Sequence, residues 1–201
     1  MSIEFNPFTL ISLHKDCIKR WKETKIEYMQ KDIYLLAEEN HAFNYQLWHS
    51  EDRARRDDMG PEYVYQAKRE IDGFNQQRNN RMEAMDEWFF HSLQPAAQHL
   101  CPVHSETPGM IIDRLSILSL KSYHMTVQTI RHDASEEHKK SCTKKLETIN
   151  QQLEQLTLCL EQLLEEIRSK TRTFRVYHQF KMYNDPNLNP ELYSAHQQQG
   201  H

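Results

Sequence analysis

The cleanest apolar period in the chain runs through Leu146, Ile149, Leu153, Leu156, Leu160, Leu163 and Ile167, spaced three and four apart. That spacing predicts a helix from about Ser135 to Arg172. Leu158, Cys159 and Leu164 widen its seam, which favours antiparallel packing within one bundle over a two-chain coiled coil. Upstream, the stretch TPGMIIDRLSILSLKSYHM is apolar on nearly every side, through Ile111, Ile112, Leu115, Ile117, Leu118, Leu120 and Met125. A helix of that kind is buried on most faces, so this one, from Thr107-Pro108 to about Arg131, is expected at the centre. Three further helices are expected: Pro7 to Trp21 with Asn6 as cap, about Glu27 to Arg56, and Pro61 to about Phe90. Asp58-Met59-Gly60-Pro61 breaks the second from the third, and a Pro-containing connector spans about residues 92–109. The tail from Lys181 to Tyr193 has turn chemistry, and residues 194–201 read as a frayed end.

Two rows do not close. In the third helix Val64, Ala67, Ile71, Phe74, Met82, Met85 and Phe89 form a ladder whose vacant rung is Arg78, edged by Asp72, Asn75, Asn79, Glu83 and Asp86. In the second, the row Ile33, Ala37, Asn40, Asn44, Leu47/Trp48, Glu51, Arg55 holds two amides and two charges. An unpaired polar group in a core costs about 1–3 kcal/mol, so two adjacent helices with matching anomalies should satisfy one another. The expected partners of Arg78 are Asn40 and Asn44, with Glu51 or Asp52 facing Arg69 or Asp72. Such a network can be purely structural, fixing the register of the pair. It can equally line a ligand pocket between bundle helices.

Composition narrows the class. Four glycines in 201 residues is far below the usual share of roughly 7%, which argues against hairpins and phosphate-cradling loops. The net charge of −4 gives no general attraction to nucleic acid. Cys17, Cys101, Cys142 and Cys159 form no CxxC pair, and the N-terminal stretch lacks the pattern of a signal peptide. No run approaches the roughly 18 apolar residues of a membrane span, and the expected location is the cytoplasm. The expected fold is therefore all-α, one helical domain over residues 1–201 with about five main helices and an irregular C-terminal tail.

The candidate ligand-binding residues are Asn40, Asn44, Trp48, Glu51 and Asp52 on the second helix, Asp72, Asn75, Arg78, Asn79 and Glu83 on the third, and Arg114 and Lys121 on the fourth. The ligand they suit is a small anionic molecule. No catalytic residue and no cofactor are assigned. Glu83-x-x-Asp86, with Glu51 and Asp52 opposite, is the arrangement that Mg²⁺ would use, but the second acidic motif of helical pyrophosphatases is missing. Glu38-Glu39-Asn40-His41 occurs once, where a di-iron bundle needs two ExxH motifs. His99, Cys101 and His104 have no completing tetrad for zinc. His124 is read as a partly buried structural histidine rather than a base. Arg168, Lys170, Arg172, Arg175 and Lys181 complement the end of the fifth helix, and the same run could receive a phosphate or other anion.

The blocks LWHSEDRAR (47–55), KREIDGFNQQRNN (68–80), ETPGMIIDRLSILSLKSYHM (106–125) and KMYNDPNLNP (181–190) together resemble a bacterial family catalogued as domain of unknown function 4254. The resemblance spans about residues 30–193. It brings no established reaction, so no catalytic residue carries over. Genes of the family often lie among those for cell-envelope polysaccharide and lipopolysaccharide assembly, which implies a pathway. The expectation is then a cytoplasmic protein that binds or acts on a sugar phosphate or nucleotide sugar. The alternative is a non-catalytic helical partner of a glycan-assembly enzyme, acting as a homodimer or with another protein, in which the polar network is structural.

Overall fold

The computed structural model describes residues 5–180, 182, 185–192 and 194. It is an all-α bundle of five long helices, and among the described residues extended pairing is confined to one isolated bridge, Val103 to Thr173. Helix α1 spans Pro7–Glu23, with Asn6 Oδ1 accepting from the Phe8 N–H at 2.8 Å and Pro7 in the first turn. Helix α2 spans Asp32–Arg53, α3 Pro61–Leu93, α4 Pro108–Thr129 and α5 Glu136–Arg168. A short 3-10 turn at Asp57–Met59 and Gly60, at φ 89°, reverse the chain between α2 and α3. That left-handed backbone favours glycine.

Helix α2 starts at Asp32 rather than near Glu27, because a buried carboxylate holds the preceding segment open. Glu38 Oε2 accepts from the N–H groups of Met29 and Gln30 at 2.8 and 2.9 Å, and Oε1 accepts from Arg20 Nη2 at 2.6 Å. Asp32, at φ 51°, breaks the helical run between that segment and α2. Helix α5 ends at Arg168 rather than Arg172 for a related reason. Lys170 turns left-handed at φ 62°, and the N–H groups of Thr171 and Arg172 return to the Glu166 carbonyl at 3.0 and 3.2 Å.

The cations after α5 are spent on the fold. Lys170 Nζ donates to the carbonyls of Leu93 (2.8 Å) and Gln94, at the negative end of α3. Arg172 pairs with Glu166 at 3.1 Å, and Arg175 donates to Gln98 Oε1 at 2.6 Å. Lys181 lies outside the described residues, as does most of the stretch expected to fray. The tail residues 186–188 form a turn and 190–192 a helical turn.

Helix α4 packs against each of the other four helices, α2 and α3 form one antiparallel pair, and α4 and α5 form another. Leu10, Cys17, Ile33, Ala37, Met85, Phe89, Ile111, Ile112, Leu115, Leu160 and Ile167 join one core drawn from all five helices. The central place expected for the fourth helix is the observed one. In the α5 seam Leu153, Leu160, Leu163 and Ile167 are buried while Leu146, Ile149 and Leu156 are half-buried, and it packs inside the chain's own bundle. No helix among the described residues is long and apolar enough to cross a membrane.

The start of α4 is set against α3 by two groups. Asp86, 2% exposed, accepts from the Gly109 N–H at 2.7 Å and so satisfies one of the donors that a helix start leaves orphaned. Gly109 sits so close to α3 that a Cβ there would lie 2.5 Å from the Met82 carbonyl oxygen and 2.8 Å from Asp86 Oδ1. Burial pushes the Asp86 carboxyl up to about 7, against the lowering effect of its bonds to Thr107 and Gly109.

Candidate functional site

The vacant rung in the α3 ladder faces an acid on α4. Asp113, 5% exposed, accepts from Asn40 Nδ2 at 3.1 Å and from Asn44 Nδ2 at 2.9 Å. Its Oδ1 lies 3.6 Å from Arg78 Nε, an ion pair longer than a hydrogen bond. The two amides of α2 and the guanidinium of α3 thus converge on one carboxylate from the centre of the bundle. Asn40 and Asn44 share a face with Arg78, as the sequence predicts, but they reach it through Asp113 rather than directly.

The network continues inward. Asn44 Nδ2 also donates to Ser116 Oγ at 3.0 Å, and the Ser116 hydroxyl lies 2.7 Å from His41 Nδ1. His41 Nε2 is 3.1 Å from the His14 carbonyl, which only accepts, so the ring carries its proton on Nε2. Nδ1 then accepts from Ser116. His14 stacks on His41 with centroids 4.3 Å apart, and its Nδ1 donates to Ser119, whose own proton goes to the Leu115 carbonyl at 2.9 Å. His14 Nε2 is buried without a partner. Burial holds His41 down at about 3, and burial followed by the neighbouring His41 drives His14 well below its ordinary value. Both rings are neutral.

The outer side of the network opens on solvent. A cleft of about 370 Å³ between α2, α3 and α4 is lined by Asn44, Leu47, Trp48, Glu51, Asp52, Arg55, Asn75, Arg78, Ile117 and Leu120. Six of the residues singled out in the sequence, Asn44, Trp48, Glu51, Asp52, Asn75 and Arg78, meet there. Glu51 is engaged by Arg55 at 2.7 Å. Among the described residues Asp52 and Asn75 make no side-chain hydrogen bond, and Arg78 makes none either, its Nε being buried and unpartnered apart from the Asp113 pair. Trp48 backs the cleft with its indole stacked on His124, centroids 4.3 Å apart and rings 5° from parallel. Burial, and next the neighbouring His49, lowers the His124 pKa, and its Nε2 is buried without a partner.

The other candidates lie elsewhere. Asn40 is fully sealed behind Asp113. Asn79 is buried on α3, and Asp72 is on the exposed side, 3.7 Å from Arg69 of its own helix. The expected pairing of Glu51 or Asp52 with Arg69 or Asp72 does not form. The α2–α3 ion pairs are Arg53 with Glu70 and Arg81 with Glu39, the latter at 2.7 Å. Glu83 and Asp86 serve separate tasks: Glu83 accepts from the Gln179 N–H at 2.6 Å and faces His178, while Asp86 holds the start of α4. Among the described residues no three His, Cys, Asp or Glu side chains group to hold a metal ion. Arg114 and Lys121 line a second groove of about 510 Å³, between α4 and α5.

Asp113, Ser116, His14 and His41 are the polar centre that the sequence reading passed over. Their signal was present. Asp113 and Ser116 are three apart on a helix rich in Ile and Leu, and both bond to residues of α2. His14 and His41 fall on the apolar faces of α1 and α2, where a lone histidine reads as filler.

No curated protein matches this chain, and no solved structure does. The family model described as a protein of unknown function, DUF4254, matches residues 35–176, which takes in α2 from its fourth residue, all of α3, α4 and α5, and every polar residue of the cleft. The chain belongs to that family.

Proposed function

We propose that the cleft around Arg78 binds a phosphorylated sugar, a sugar phosphate or nucleotide sugar. The observation that carries this reading is the state of Arg78. Its guanidinium is held against buried Asp113 at 3.6 Å, makes no hydrogen bond among the described residues, and lines an open cleft. A cation oriented by a buried acid and left with free donors is prepared for an anion, and the planar fork of arginine suits phosphate. Trp48 supplies an apolar wall for a sugar ring, and Asp52 and Asn75 offer unengaged groups to hydroxyls. The division of the network supports the same reading. Asn40, Asn44, Asp113, Ser116 and His41 bond to one another in the core, whereas Asp52, Asn75 and Arg78, which line the cleft, make no side-chain hydrogen bond among the described residues. The cytoplasmic assembly of bacterial cell-envelope polysaccharide, implied by the family resemblance, is a setting that supplies such ligands.

A thermal-shift screen of sugar phosphates and nucleotide sugars, with and without Mg²⁺, tests the proposal. A ligand at about 100 times its Kd stabilises the fold by about 2.7 kcal/mol, a readily measured shift. Arg78→Lys keeps a positive charge near Asp113 and is expected to melt within a few degrees of wild type, yet to lose the ligand-induced shift and fail to complement a deletion strain. An Arg78→Lys variant that binds and complements like wild type refutes the reading. A screen in which no phosphorylated sugar shifts the melting temperature would favour instead the non-catalytic helical partner of a glycan-assembly enzyme.

A further inference from the structure

Ile117 is the common wall of two clefts. On a helix of 3.6 residues per turn, Asp113 and Leu120 fall on one flank of Ile117, towards α2 and α3. Arg114, Leu118 and Lys121 fall on the other, towards α5. The α2/α3 side is the 370 Å³ cleft of Arg78; the α5 side is the 510 Å³ groove, completed by Gln152, Gln155, Leu156 and Cys159. The two differ in charge. The Arg78 cleft carries two carboxylates, Glu51 and Asp52, alongside its two guanidiniums, while the lining of the α5 groove has two cations and no carboxylate.

The structure assigns the second groove, we infer, to the distal phosphate and nucleoside of the same ligand, which makes the ligand a nucleoside diphosphate sugar rather than a sugar monophosphate. The inference rests on the reading that the Arg78 cleft takes a phosphorylated sugar. A hydroxyl-rich ring suits the cleft of mixed charge, where Asp52 and Asn75 accept and donate. A diphosphate does not suit that cleft, because Glu51 and Asp52 oppose a second anionic charge. It is drawn across Ile117 to Arg114 and Lys121. Among the described residues Lys121 has no ion pair or side-chain hydrogen bond. Arg114 is tied only to Glu106, and that pair is exposed on both sides, so a phosphate displaces it readily. Gln152 and Gln155 make no side-chain hydrogen bond among the described residues and present amides to a nucleobase or ribose. Size agrees: the Arg78 cleft alone is at the small end of the roughly 300–1,000 Å³ usual for ligand sites, enough for a monosaccharide phosphate, and the adjoining groove adds the space a nucleotide requires.

Cys159 reports on the groove directly. It is exposed on the groove wall, whereas Cys17 and Cys142 are buried and Cys101 is half-buried. In the full chain carrying Cys101→Ser, the rate of Cys159 modification by a chromogenic disulfide is measured with UDP-glucose, UDP-N-acetylglucosamine, GDP-mannose and glucose 1-phosphate, with melting shifts recorded in parallel. The expected result is that a nucleotide sugar both raises the melting temperature and slows Cys159 modification about tenfold or more, while a sugar monophosphate that binds leaves Cys159 reactive. Lys121→Met is expected to weaken the nucleotide sugar by about tenfold, the worth of one charge-assisted contact, and to leave monophosphate binding unchanged. Nucleotide sugars that shift the melting temperature without protecting Cys159, and that ignore Lys121→Met, overturn this inference and leave the Arg78 reading standing. If no phosphorylated sugar of either kind shifts the melting temperature, both fall together.

Discussion

Asp113→Ala is the perturbation that asks most of the structure. The substitution leaves Asn40 Nδ2 with no acceptor in place of a 3.1 Å bond. Asn44 Nδ2 loses its 2.9 Å bond but keeps Ser116 Oγ at 3.0 Å. Arg78 loses its anion, though its side chain is 27% exposed and can lean towards water. An unsatisfied buried donor costs about 1–3 kcal/mol, and breaking a fully buried ion pair about 3–5 kcal/mol. The exposure of Arg78 and the length of its pair place its share well below that upper range. Together the expected loss is about 2–4 kcal/mol. For a chain of this size that corresponds to a fall of very roughly 5–15 °C in melting temperature. Arg78→Met alone leaves Asp113 with both amide donors and is expected to cost about 1 kcal/mol. The double variant removes acid and cation together, so its loss should fall short of the sum of the two by about 1 kcal/mol. Urea denaturation followed by far-UV circular dichroism, with unchanged m-values, measures all three. If Asp113→Ala lies within about 0.5 kcal/mol of wild type, or if the two losses simply add, Asp113 does not hold the network together.

Gly109→Ala forces a methyl group against the Met82 carbonyl, at 2.5 Å before any relaxation, and should cost about 1–3 kcal/mol as α4 is pushed off α3; an unchanged urea midpoint contradicts the close approach. The pH dependence of stability separates the buried acid from the buried histidines. Asp86, with its folded value near 7 against an ordinary 3.8, holds a proton that the unfolded chain has released, so its contribution falls as pH rises from about 4 to 7. His14 and His41, both lowered, refuse protons that the unfolded chain takes up, so their contribution is present above about 6.5 and is lost in acid. Two histidines oppose one carboxyl, and stability should therefore rise with pH by roughly one proton's worth, about 1.4 kcal/mol per unit, through the acid range. Asp86→Asn, which keeps an acceptor for the Gly109 N–H but cannot ionise, should steepen the acid limb and raise stability at about pH 8. Melting curves between about pH 4 and 8 decide it, and an Asp86→Asn profile parallel to wild type counts against the assignment.

Helices and their order were legible because burial in this bundle repeats with the helical period. The α5 seam and the apolar wrap of α4 are properties of side chains within one element, which a linear reading can count. What escaped was set by side chains acting on distant backbone. Glu38 anchors residues 29 and 30 through their N–H groups ahead of the break at Asp32, and nothing in the local pattern EYMQKDIYLL signals that. The α5 end is similar: helical spacing continues towards Arg172, but the chain turns at Lys170 because its ammonium is occupied at the end of α3. At the candidate site, the anomalous rungs of α2 and α3 were visible as misplaced polar residues. Their common partner was not, because Asp113 stands in a helix whose apolar residues alone carry the periodic signal. Asp72 shows the opposite error. It borders the same ladder as Arg78 in sequence, yet about a third of a turn around the helix is enough to place it outside.

The placement of Asp113 on α4 also explains why one network can serve both structure and site. Had Arg78 been satisfied by acids on α2, the charge would have been consumed inside a two-helix contact and could be replaced by apolar packing with little loss. Instead the acid comes from the helix that touches all the others, and it takes its short bonds from the amides of Asn40 and Asn44. The carboxylate is therefore fixed in position whatever Arg78 does. Arg78 feels its field at 3.6 Å without being captured by it. A guanidinium oriented by a fixed charge, with donors still free, has its entropic cost of ordering largely met before any ligand arrives. That is the condition a binding residue needs and a packing residue does not. On the proposed reading, binding constrains Arg78 and folding constrains Asp113.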